Sequence, residues 1–231
     1  MVERMPAVDA AAPDFAAPGY APHSWRDRWE LKRSEQAVFE SHRKAWQRIV
    51  DSDDAQGIVC EDDILVSEEM PKFLKRLDSD RFGVVKLDGF GAHRRYGAET
   101  GMNGWVVWEI VEAVPSAACY ALSKSAAQRL LVDSATYCET LDDFLFRSRA
   151  GLCPVQLSPG VAVQRMCCEA PAVPTGPASL REQRDPGRTA KGPPLYRARK
   201  EFKRFLNSWR LRAMTRRRPA LAADLPPYRD G

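Results

Sequence analysis

Two short apolar runs, Ile58-Val59-Cys60 and Ile64-Leu65-Val66, enclose three consecutive carboxylates, Glu61-Asp62-Asp63. Each run is bounded by polar residues and too short for a helix, so each reads as a strand seeking a core. Adjacent carboxylates repel one another and persist only where they are solvated, hydrogen-bonded or neutralised by a cation. Whatever the chain folds into must therefore present an acidic turn at a strand end. Two readings follow: a solvated turn, or a pair of hard oxygen ligands. In extended geometry Glu61 and Asp63 share a side and suit Mg²⁺ or Mn²⁺, and open α/β sheets bind ligands at the carboxyl ends of their strands.

Around this turn the pattern alternates. Residues 1–24 are rich in Ala and Pro without a period and predict an irregular lead-in. From Ser34, the residues Val38, His42, Ala45, Trp46 and Ile49 recur at helical spacing. Ser67 reads as an N-cap for a helix carrying Met70, Phe73, Leu74 and Leu77. A strand spans Phe82 to Leu87, followed by a glycine-rich loop from Phe90 to Gly104 and a strand from Trp105 to Val114. Another strand, Cys119 to Leu122, leads to a helix capped by Ser123, and Thr140 caps a further one through Phe146. Strands at Pro154 to Leu157 and Val161 to Gln164 complete an α/β layered domain. A Pro, Gly and Arg-rich linker spans 169–194, and 195–231 is a tail whose helix sets Phe202, Phe205, Leu206, Trp209 and Ala213 on one face.

With 44% hydrophobic residues the chain has a core to bury, which excludes a wholly disordered polymer. The net charge of +4 conceals an asymmetry: 14 basic and 3 acidic residues between Ser179 and Arg218 make +11, leaving −7 on the rest. An acidic body argues against nucleic acid as a partner, whereas the basic helix either lies on anionic lipid or packs on the domain. No run approaches the roughly 20 apolar residues of a membrane span, and the first residues lack a signal peptide's basic start and apolar core, so a cytoplasmic location, peripheral at the inner face of the membrane, is expected. There the six cysteines stay reduced, as small buried side chains, and neither they nor the three histidines have zinc-site spacing.

Three further features carry alternatives. His42 beside Trp46 is either a satisfied core histidine or a substrate contact. Asp142-Asp143 is either a solvated first helical turn or a cleft pair with a general base. Arg94-Arg95 is either a solvated pair or a phosphate holder.

The ordered set of Pro6 to Asp9, Ser34-Glu35, Ser41-His42 with Trp46, Ile58 to Val66 around Glu61-Asp62-Asp63, Ala118 to Leu131 and Leu141 to Leu145 resembles the family 25 glycosyltransferases, which include enzymes of lipopolysaccharide synthesis. The resemblance spans about residues 5 to 165 and implies a GT-A-like, Rossmann-related sandwich binding a nucleotide-sugar donor and a divalent cation, Mn²⁺ or Mg²⁺. Glu61, Asp62 and Asp63 inherit the metal motif, with Asp63 as first ligand. Asp142 or Asp143 would be the base, and Ser41 and His42 would lie near the donor cleft. UDP-galactose is the family's usual donor, with a glycolipid or surface polysaccharide as acceptor. The family's usual first strand, Ile-Asn-Leu with an Arg-rich turn, has no match upstream of Pro6, and Ala37 and its neighbours replace a Gly-Cys. These departures imply an altered nucleotide pocket and raise the alternative of a catalytically inactive member that scaffolds glycan assembly.

Overall fold

Alternation at Val84-Val85, which face opposite sides of one strand, divides the interior into two cores. The computed structural model describes residues 2–90, 94–168, 190–214, 216–218 and 228–229. In chain order the elements are α1 (Arg33–Asp51), β1 (Gln56–Cys60), β2 (Ile64–Ser67), α2 (Met70–Leu74), β3 (Val84–Lys86), β4 (Asp88–Gly89), β5 (Arg94–Met102), β6 (Trp105–Ile110), β7 (Cys119–Ser123), α3 (Lys124–Asp133), α4 (Leu141–Leu145), β8 (Val155–Ser158), β9 (Ala162–Gln164), α5 (Arg165–Cys168), α6 (Pro194–Met214), β10 (Arg216–Arg218) and β11 (Tyr228–Arg229). The fold is mixed α/β. A seven-stranded sheet runs β1-β7-β3-β8-β6-β5-β10, and a four-stranded sheet runs β11-β2-β9-β4. Among the described strands the parallel pairs are β3 with β8 and β4 with β9.

One core lies between the large sheet and α1, α3 and α4. Phe39 stacks on Tyr137 with ring centroids 3.8 Å apart and meets Trp46 and Phe144 edge-on. The other core joins the opposite face to α2 and the small sheet through Phe73, Val85, Leu87 and Leu157.

Several elements differ from expectation for identifiable reasons. Val38 is exposed, because the buried side of α1 is fixed by Phe39, His42, Trp46 and Ile49, and Val38 sits a helical step of about 100° from Phe39. Ser67 ends β2 rather than capping a helix: it is buried, its hydroxyl accepts from the Glu69 N–H, and Glu69 is the cap of the short α2. The glycine-rich stretch is no loop from Arg94 onward but strand β5, paired to β6 through Asn103-Gly104, both at positive φ, as a two-residue hairpin turn requires. Cys60, Cys153 and Cys167 are exposed rather than buried, although all five described thiols are free. Most of the expected linker, residues 169–189, and the side chain of Ala213 lie outside the described residues.

β3 and β4 are one continuous segment that changes sheets at Leu87. The Leu87 N–H donates to the Cys119 carbonyl, and its own carbonyl accepts from Val161 and Ala162. Gly160 packs against this corner so closely that a Cβ there would stand 2.8 Å from the Gly89 nitrogen and 2.9 Å from the Leu87 oxygen, both backbone atoms with no freedom to yield. Gly160→Ala should therefore lower stability in urea unfolding by about 1–3 kcal/mol. Gly101→Ala, where a Cβ meets nothing within 4 Å, should stay within about 0.5 kcal/mol.

Candidate functional site

The corner at Leu87 places a lysine and an aspartate, Lys86 and Asp88, where water does not reach. Both side chains are completely buried, and the ammonium donates to the Asp88 carboxylate at 2.6 Å and to the Ser116 carbonyl, between the rings of Phe90 and Phe146. A buried charge without a partner costs several kcal/mol, so each ion is the condition for the other. Ser116 follows suit: it occupies the left-handed region at φ 68°, unusual for a residue other than glycine, held there by its partners. Its N–H donates to the Asp142 carboxylate at 3.0 Å and its hydroxyl meets Gln164 Oε1 at 3.2 Å. The Gln164 amide in turn donates to Glu61 at 2.8 Å. A polar chain thus joins the acidic turn after β1, the sheet-changing corner and the first turn of α4.

Glu61 stands at one end of that chain. Burial, reinforced by the charges of Asp63, Asp142 and Asp88, raises its pKa to about 7, against the lowering effect of the Gln164 hydrogen bond. Opposite it, His42 Nε2 lies 3.9 Å from Glu61 Oε1. Burial lowers the His42 pKa to about 4, so the ring is neutral at pH 7. Its tautomer follows from its other neighbour. Trp46 Nε1–H donates to the buried Tyr120 hydroxyl at 2.9 Å, and among the described residues that hydroxyl's own proton has no acceptor but His42 Nδ1, at 2.7 Å. The proton of His42 is therefore on Nε2, directed toward Glu61.

Asp142 and Asp143 are separated by environment. Burial raises the Asp142 pKa, with Asp143 and Asp88 adding to it against Ser116 and Lys86. Asp143 instead pairs with Arg28 at 3.2 Å. Both line a cleft of about 1170 Å³ whose far wall is the α6 residues Lys200, Lys203, Arg204 and Asn207. A β-bulge between Tyr96 and Glu99 borders the same cleft. Asp62 and Asp63 are exposed in the turn, which is bent rather than extended. Ser41 spends its hydroxyl on the Ala37 carbonyl and the Val8 N–H. Arg94 and Arg95 lie on β5; the Arg94 guanidinium reaches the Ala113 carbonyl, and neither residue lines the cleft. Among the described residues no three His, Cys, Asp or Glu side chains converge to hold an ion by themselves. No motif or spacing marks Lys86, Asp88, Ser116, Tyr120 and Gln164 as site residues; the one signal is a lysine inside an otherwise apolar strand.

A family model described as glycosyltransferase family 25 (LPS biosynthesis protein) matches residues 15–145, more than half of the chain. The match takes in His42, Glu61, Ser116, Tyr120 and Asp142. No curated protein matches the chain.

Two outcomes test this geometry. The folded-state pKa of Glu61, about 7, lies above its ordinary value of 4.5. The folded protein therefore holds that proton more tightly, and its stabilising contribution is complete below the ordinary value and lost as pH rises toward 7. Glu61→Gln, measured by urea unfolding in chelator, should be more stable than the parent at pH 8 by about 1–3 kcal/mol and equal to it near pH 4. Tyr120→Phe removes the group that fixes the imidazole: stability should fall by about 1–3 kcal/mol, and ¹⁵N spectra should show His42 passing from one tautomer to a mixture.

Proposed function

From the premise that the chain belongs to glycosyltransferase family 25, we propose that it transfers a sugar from a nucleoside-diphosphate donor to a hydroxyl of a glycan or glycolipid acceptor in lipopolysaccharide biosynthesis, with a divalent cation as cofactor. The observation that carries this reading is the joining of Glu61 to Asp142 through Gln164 and Ser116, at the carboxyl ends of β1 and β3. Ligands of open α/β sheets occupy that end, which also supports the GT-A-like comparison.

The cation fits the residues present. Burial first, and then the charges of Asp63, Asp142 and Asp88, raise the Glu61 pKa, so its surroundings are short of positive charge. Mg²⁺ and Mn²⁺ are commonly held by one or two carboxylates completed by water and substrate phosphate, so a triad of protein ligands is not required. Glu61 and Asp63 would hold the ion, with Asp62 on the solvent side of the turn. Bound there, it supplies Lewis-acid stabilisation of the charge that develops on the departing diphosphate.

The chain's own groups supply the rest. The acceptor oxygen attacks the anomeric carbon, the bond to the phosphate oxygen breaks, and Asp142 takes the acceptor proton. What favours Asp142 is the burial that raises its pKa above its ordinary value and so strengthens it as a base, and the Ser116 N–H that fixes its orientation. Asp143, already engaged by Arg28, serves to position that guanidinium at the cleft. His42 presents its Nε2–H beside Glu61 as a neutral donor to a donor-sugar or phosphate oxygen. UDP-galactose is the first donor to try.

Incubation with a panel of UDP-sugars and a lipid-linked acceptor should give transfer that chelator abolishes and Mn²⁺ or Mg²⁺ restores. Asp142→Asn should lower turnover by about 10²-fold or more, whereas Asp143→Asn should retain most of it. Asp63→Ala should lower transfer and raise the cation concentration needed to restore it. If cation plus UDP-sugars raise neither Tm nor product, the chain is a non-catalytic member of its family.

A further inference from the structure

The long helix α6 is attached to the body the wrong way round for an ordinary amphipathic helix. Its polar side faces the body: Tyr196 is buried with its hydroxyl on the Arg26 carbonyl, Lys200 donates to the Asp27 carbonyl at 2.7 Å, and the exposed Lys203 reaches the Asp27 carboxylate at 3.0 Å. Asn207 and Leu211 continue that side along the cleft. Burial pushes the Asp27 carboxyl up, but Lys203, Arg147 and Lys200 outweigh it and hold it below its ordinary value, so the attachment is ionic. The apolar side points out. Leu195, Phe202, Phe205, Leu206 and Trp209 are 71%, 64%, 68%, 48% and 70% exposed, spaced so that all five fall on one stripe. Exposed aromatic residues contiguous along a stripe mark an interaction surface.

Charge selects the occupant. Between Pro194 and Met214 the helix carries 7 basic residues and 1 acidic residue. A second copy would bring the same positive charge against itself. The stripe lies on the convex surface of a single helix and offers no groove into which another chain could key. Phe, Leu and Trp on one side and Lys and Arg around them is the composition of a helix that lies in a lipid interface, with basic residues worth on the order of 1 kcal/mol each at an anionic surface.

We propose that α6 is an interfacial anchor that seats this protein on an anionic lipid leaflet through Phe202, Phe205, Leu206 and Trp209. The cleft-lining residues Lys200, Lys203 and Asn207 are on the opposite side of the same helix, so docking holds the cleft about one helix diameter, 10–12 Å, above the leaflet. A lipid-borne acceptor then reaches Asp142 without leaving the membrane; that consequence rests on the transfer reading, whereas the anchoring does not.

Co-sedimentation of the full chain with vesicles of phosphatidylglycerol and phosphatidylcholine, against phosphatidylcholine alone, tests the anchor. Binding to the anionic vesicles is expected, weakened by salt, together with quenching of tryptophan fluorescence by brominated lipid. The triple variant F202Q/F205Q/W209Q changes exposed side chains, so its Tm should match the parent, while its partitioning should fall at least 100-fold. A single W209Q variant should lose most of the quenching. Absence of binding to anionic vesicles at low salt would overturn the proposal. So would undiminished binding of the triple variant, or a dimer in sedimentation equilibrium that the variant dissolves while lipid binding is nil.

Discussion

A lysine and an aspartate that exclude water from one another, Lys86 and Asp88, hold the point at which this fold changes sheets. The pair flanks Leu87, whose backbone serves the large sheet on one side and β9 on the other. Removing either charge leaves the other buried alone, at a cost of several kcal/mol. The pair also consumes the Ser116 carbonyl, and the conformation thus imposed aims the Ser116 N–H at Asp142 and its hydroxyl at Gln164. The site is thereby built on backbone that the core has already fixed, which is how a carboxylate can be kept in a costly position.

The cost is visible in the directions of the pKa shifts. Glu61 and Asp142 are raised and His42 lowered, each chiefly by burial. All three shifts favour the neutral form of the group, so the surroundings of Glu61, Asp142 and His42 are short of charge compensation. Such surroundings gain from an added counter-charge, and perturbed groups brought together in this way are a usual mark of function. Tyr120 adds orientation. Trp46 can only donate, and the buried Tyr120 hydroxyl has no acceptor but His42 among the described residues, so the direction of both hydrogen bonds from Trp46 to His42 is set.

Elements with a strong local signal were legible in the sequence. The α1 periodicity, the strands around the acidic turn and the Ser123 cap, whose hydroxyl accepts from Ala126, all appear where the residues indicate. Glu61, His42 and Asp142 were legible as candidates because carboxylates beside buried strands and a histidine on an apolar helix face are anomalies that ask for a partner. What could not be read were the partners. Gln164 and Ser116 are ordinary polar residues far apart in the chain, and only the pairing of β2 with β9 brings Gln164 opposite Ile64, beside the turn. The glycine-rich stretch misled because glycine in a strand resembles a loop until the Asn103-Gly104 turn is seen to pair its two arms. Ser41 misled in another way: its hydroxyl is satisfied by its own helix and by the lead-in, a use that no spacing rule reveals.

The contrast between an acidic body and a basic tail suggested two separate tasks, and the cleft shows why the division is too sharp. Its lining carries Asp142 and Asp143 together with Lys200, Lys203 and Arg204 from the basic segment. An anion approaching carboxylates alone would be repelled, since the charges are of one sign. Basic side chains from α6, with Arg28, bring positive charge to the same cleft. Burial first, and then the neighbouring Arg28 and Arg204, lower the Lys200 pKa against the opposing charges of Asp27 and Asp143. The cleft thus sets both signs of charge side by side, and the helix that supplies most of its basic residues is the same one whose apolar stripe lies exposed on its other side.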